Sequence, residues 1–149
     1  MTAHEQAGRR RPTPSPVLDV LVVGTDDWAI EQGADAVASA GHRVRRCHEP
    51  GAPVFPCNAL RPGGICPLAQ GFDVVVSMRA RPLSPPSLSE LGVICALRVG
   101  APLIVGGLVQ GNPFEAWTTG VVDDAGDVPS AIERLGRPAP RVGEVVPVP

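Results

Sequence analysis

The chain contains no lysine and no tyrosine, and all thirteen of its basic residues are arginine. Without lysine there is no Schiff-base nucleophile and no Walker-type phosphate site. Aromatic side chains are limited to Trp28, Trp117, Phe55, Phe72 and Phe114. With 44% hydrophobic residues, the core must be built from Val, Leu, Ile and Ala, which suits a parallel sheet buried on both faces. Net charge is only −2, so no basic field draws the chain to nucleic acid or to an anionic membrane. No run reaches the roughly 18 apolar residues of a membrane span. Arg9-Arg10-Arg11 leads into Pro12-Thr13-Pro14-Ser15-Pro16 rather than into an apolar secretory segment. The expectation is a soluble, cytoplasmic protein that binds neither nucleic acid nor membrane. Its partner would be a protein or a small ligand of unknown identity.

At 149 residues the chain reads as one domain with tails. Residues 1–16 and 136–149 are polar or Pro-rich and lack apolar periodicity, which predicts disordered tails. Residues 17–135 alternate strand and helix. Val17 to Val23 is an apolar run interrupted by Asp19, a buried first strand ending at Gly24. Asp27 is placed to cap a helix running to about Ala40, with Gly41 as its stop. Val44 to Cys47 forms a short second strand, and a Cys/Pro/Gly loop follows where a second helix is expected. Phe72 to Ser77 is the third strand. Ser87-Leu-Ser-Glu90 is a capping box that opens a helix with Leu88, Leu91, Ile94 and Cys95 on its core face. Leu103 to Val105 and Thr118 to Val122 are the last strands, and Asp127 caps a final short helix. Five strands joined by right-handed crossovers predict a three-layer α/β sandwich, flavodoxin-like, with a parallel sheet in the order 2-1-3-4-5. Sites in such sheets form beyond the carboxyl ends of the strands.

The most unusual stretch is Cys47-His48-x8-Cys57-x8-Cys66. It packs three thiols and an imidazole into 20 residues that also hold four prolines and three glycines before Cys66. A cysteine in a helix or strand is a small hydrophobe; so many in a Pro/Gly loop point to chemistry. Three Cys and one His are a complete tetrahedral zinc set, and an iron–sulfur cluster accepts three Cys with a further ligand. Both usually use short C-x2-C knuckles, which this stretch lacks. A redox pair needs only two thiols that can meet, and Gly63-Gly64 makes closure between Cys57 and Cys66 cheap. Arg61 or a protonated His48 would activate such a thiol. The third reading is simple packing under Pro and Leu.

Two further groups fall at the same strand edge. Asp26 and Asp27, an acidic pair after strand 1, can hold a divalent cation or cap a helix. Arg79 and Arg81, after strand 3, can grip a phosphate or carboxylate, or pair with Asp26 or Asp27. Gly106-Gly107 and Gly111 lack any dinucleotide or Walker spacing.

Val20-Leu-Val-Val-Gly-Thr-Asp26-Asp27, the helix ending in Gly41-His-Arg-Val44, and Asp73-Val-Val-Val-Ser77 resemble a response-regulator receiver domain across roughly residues 17–135. The resemblance implies a flavodoxin-like fold and acidic residues after strand 1, a role Asp26 and Asp27 can fill. It also implies an aspartate ending strand 3, where Ser77 stands. It implies a hydroxyl after strand 4, where Gly106 or Gly107 stands, and a lysine that this chain lacks. The implied protein is a degenerate receiver without phosphoacceptor function.

Three functions are therefore expected candidates. The first is a non-catalytic regulatory or ligand-binding module whose Cys/His loop binds metal or senses redox state. The second is a small thiol–disulfide oxidoreductase using Cys57 and Cys66. The third is a nucleotide- or flavin-binding protein. The cofactor is unknown, with zinc and an iron–sulfur cluster as candidates.

Overall fold

A computed structural model describes residues 13–82 and 85–136. The two expected tails lie outside the described residues, apart from residues 13–16 and Gly136. The described elements are β1 (Asp19–Gly24), α1 (Asp27–Ser39), β2 (Arg43–Arg45), α2 (Pro67–Gln70), β3 (Val74–Arg79), α3 (Leu91–Arg98), β4 (Leu103–Gly107), β5 (Thr118–Val122) and α4 (Val128–Arg134). All five strands pair in parallel in the order β2-β1-β3-β4-β5, the flavodoxin-like arrangement expected from the alternation of elements.

Successive strand side chains point to opposite faces, and the Val-rich strands therefore build two cores. Val20, Val22, Val74, Val76, Met78 and Ile104 face one layer, where Ile30, Ala34 and Val37 of α1 and Val128, Ala131 and Ile132 of α4 cover them. Leu21, Val23, Val75, Leu103 and Val105 face the other, against Val93 and Ala96 of α3 and the rings of Phe72 and Phe114. Asp19, the one charge inside the first apolar run, is fully buried. It is held by Arg43 at 2.8 Å and Arg45 at 2.9 Å. Helix α1 stops as expected: Gly41 takes φ +87°, and His42 N–H donates to the Val37 carbonyl at 3.2 Å.

Several boundaries depart from the sequence reading. Asp26 rather than Asp27 caps α1, with the Ala29 N–H donating to its Oδ1 at 2.9 Å. Asp127 stands at the N-cap position of α4 as expected but makes no side-chain cap bond, and Asp124, at the start of the preceding turn, accepts from the Gly126 N–H at 2.7 Å. Strand β3 runs two residues past Ser77 to Arg79, because Met78 and Arg79 still find ladder partners in Gly24, Gly106 and Gly107. The β2-to-β3 connection keeps only a 3-10 turn at Asn58–Leu60 and the single turn of α2. No helix among the described residues is long and apolar enough to cross a membrane.

Candidate functional site

The Cys loop leaves the carboxyl end of β2 under two ties to α1. Arg46 pairs with Glu31 at 2.7 Å. The buried His48 places Nε2 3.1 Å from Asp27 Oδ1. The side chain between them goes the other way. Cys47 packs on the second core layer, and a Cβ built at Gly92 of α3 would meet its Sγ at 2.7 Å and Val23 Cγ1 at 2.8 Å. Gly92 is thus what lets α3 approach the start of the loop. Cys47 and His48 are neighbours in sequence and line one pocket between the loop and α3, but His48 turns its Nε2 to Asp27 of α1 while Cys47 packs toward Gly92 of α3.

Farther along, the loop ties to itself. The Asn58 N–H donates to the Cys47 carbonyl at 2.7 Å, and the Gly64 N–H donates to the Arg61 carbonyl at 3.0 Å. The Arg61 guanidinium donates to the carbonyls of Pro53 and Pro56. It therefore serves as an internal clamp, where the sequence offered it as an activator of a thiol.

Between this loop and α3 lies a pocket of about 210 Å³. Cys47, His48, Cys57 and Cys66 line it, and α3 adds Cys95. Leu21, Val54, Phe55, Leu68, Leu88 and Leu91 supply most of the remaining wall. The sequence reading missed Cys95, assigning it to the core face of its helix. In the structure Gly92, Val93 and Ala96 face inward, whereas Leu88, Leu91, Ile94 and Cys95 face outward. All four cysteines are free thiols. The Cys47 thiol is pushed up to about 12, first by burial and then by the neighbouring thiols of Cys95, Cys66 and Cys57. It stays protonated at neutral pH, the opposite of an activated nucleophile. Among the described residues no group of three or more His, Cys, Asp or Glu side chains stands close enough to hold a metal ion.

The other candidates do not gather into one site. Asp26 and Asp27 are each engaged: Asp26 caps α1 and its Oδ2 lies 3.4 Å from Arg81 Nε, while Asp27 meets His48. Arg81 is largely exposed. Arg79 is wholly buried and forms an ion pair with the equally buried Glu90, Nε to Oε1 at 3.4 Å. Glu90 also accepts from the Ser87 N–H at 2.8 Å, the half of the capping box that the sequence announced. Ser77 lies inside the sheet, fully buried between Val23 and Val105.

No protein-family model, no curated protein and no solved structure matches the chain.

Proposed function

We infer that the protein is a non-catalytic regulatory or ligand-binding module whose Cys/His loop senses redox state. The observation that carries this reading is the placement of Cys47, Cys57, Cys66 and Cys95 around one pocket, although they come from a strand end, a loop and a helix. Redox sensing is favoured over metal binding because the imidazole of His48 is committed to Asp27 and no ligand cluster is formed among the described residues. Thiol–disulfide catalysis by Cys57 and Cys66 is the alternative reading, and turnover of a disulfide substrate would favour it. Nucleotide or flavin binding has least support, since the pocket is below the roughly 300–1,000 Å³ typical of drug-sized ligands.

The sensing step would join Cys57 to Cys66. Two thiols give up two protons and two electrons to form the disulfide, and a hydroperoxide takes them up to become an alcohol and water. One equivalent of hydroperoxide is expected to remove two titratable thiols and lower the intact mass by two hydrogens, with Cys57 and Cys66 linked in a peptide map. A reductant should restore both thiols. Four thiols still titrating after that treatment would rule the reading out.

We also read the chain as receiver-like in descent of fold but not in chemistry. Supporting this are the strand order, the burial of Ser77 and the cation Arg79 at the end of β3. Acetyl phosphate is expected to leave the intact mass unchanged. A stable phosphoryl adduct mapped to Asp26 or Asp27 would overturn that expectation.

A further inference from the structure

We propose that the pocket between the Cys loop and α3 is a receptor for one small, uncharged, apolar molecule about the size of a substituted benzene. The proposal rests on the reading of this loop as a ligand-responsive module, and it names the ligand class. Size is the first constraint. An apolar cavity of about 150 Å³ takes up benzene, and drug-sized sites begin near 300 Å³; about 210 Å³ lies between them. One ring with a short substituent fits, and a nucleotide or flavin does not.

Charge is the second constraint. Among the described residues the lining holds no Asp, Glu or Arg, and its polar side chains besides the thiols are His48 and Ser89. His48 turns its Nε2 to Asp27, and Arg61 is spent on the carbonyls of Pro53 and Pro56. A phosphate or carboxylate entering here would lose its hydration and meet no cation but an imidazole already engaged by Asp27. A neutral ligand has no such cost.

The rim is the third. Phe55 is 63% exposed, Leu88 65% and Leu91 40%, so apolar surface at the mouth stands in water and would be covered by an occupant. The same rim gives the pocket a way in that a sealed core cavity lacks. Polarizable sulfur along the wall favours an aromatic ring over a saturated one of equal size. Gly92 keeps the space open on the α3 side, because any side chain there would drive into Cys47 or Val23. An occupant would lie against the thiols of Cys57 and Cys66, so its presence and their oxidation would read each other.

The test is a titration of the full chain, kept under reductant, with toluene and separately with benzoate, followed by backbone amide resonances. Toluene is expected to give saturable shifts confined to Leu21, the loop from Cys47 to Leu68, and Leu88 to Cys95. Benzoate should give none. When nine pockets in ten are filled, alkylation of Cys57 and Cys66 by iodoacetamide should slow about tenfold by mass action. Ala59→Trp, at an exposed rim position, should block the pocket and abolish both effects; Leu91→Trp carries the same test from the opposite wall. Three results would overturn the proposal: no saturable response to toluene, an equal response to benzoate, or shifts centred on Trp28 and Trp117. Because the protein is kept reduced, toluene binding stands even if the redox reading fails. Conversely, a thiol response to hydroperoxide without toluene binding sinks only the ligand proposal.

Discussion

Replacing Glu90 with leucine is expected to cost about 3–5 kcal/mol of folding stability, because it takes a buried carboxylate away from the buried Arg79 guanidinium. Arg79 sits at the end of β3 with its side chain fully enclosed, and Glu90 faces it at the entry to α3, equally enclosed. Two effects add up in the variant. The guanidinium loses its carboxylate in a low-dielectric setting, and the Ser87 N–H loses the acceptor that closes the helix start. The double variant Arg79→Met, Glu90→Leu should recover much of the loss, since a buried pair is often no more stabilising than apolar groups of similar volume. It should not recover all of it, because the Ser87 N–H remains without Glu90. Urea unfolding of parent, single and double variants checks this. A single-variant cost below about 1 kcal/mol would place the pair in a water-accessible setting.

The location of this pair bears on the pocket. Glu90 is separated by one residue from Gly92, which packs against Cys47, and Leu88, Leu91 and Cys95 lie on the same stretch. The ion pair therefore fixes the wall of the pocket to the central strand of the sheet. A loosened pair would move that wall before it moved the Cys loop, which is held separately by Arg46–Glu31 and His48–Asp27.

The parallel sheet was legible because its signals are local: β-branched runs at regular intervals, punctuated by Gly24, Gly41 and Gly100. The order 2-1-3-4-5 is a common doubly-wound arrangement for such an alternation of elements, and the crossover rule adds the handedness of its connections. What was not legible is which face of an almost wholly apolar helix turns inward. In Leu91–Arg98, two stripes of apolar residues compete, and periodicity cannot choose between them. The choice is made by Gly92, where absence of a side chain permits close approach to Val23. Periodicity alone therefore puts Cys95 in the core, whereas the fold places it beside the other thiols. Local pattern offers Arg79 an anion or a pair with Asp26 or Asp27, and Glu90 a capping role; their mutual pairing spans a connection whose course no local pattern specifies. Adjacency groups His48 with Cys47, and both line the pocket, but it does not show that their partners, Asp27 and Gly92, lie in different layers.

Raising the pH should expose the burial of Cys47 with unusual clarity. With no lysine and no tyrosine, the chain has only its four thiols to titrate among side chains between about pH 9 and pH 12. The Cys47 thiol is raised from 9.0 to about 12 in the folded protein, by burial and then by Cys95, Cys66 and Cys57. Well below pH 9 it is protonated whether the chain is folded or not, and it contributes no pH dependence. Above pH 9 the unfolded chain releases the proton while the folded chain keeps it. Folding stability must then fall as pH rises, with a slope approaching about 1.4 kcal/mol per pH unit from this one group. The half-buried setting of Cys47 makes that slope a ceiling. Urea unfolding under reductant at pH 7, 9, 10 and 10.5 is expected to give a flat segment followed by a decline. Cys47→Ala should be less stable at pH 7 but should lose most of the decline, so that the two curves converge as pH rises. Parallel curves would mean that the thiol ionises as freely in the folded protein as in the unfolded chain, and that the loop does not seal it against α3.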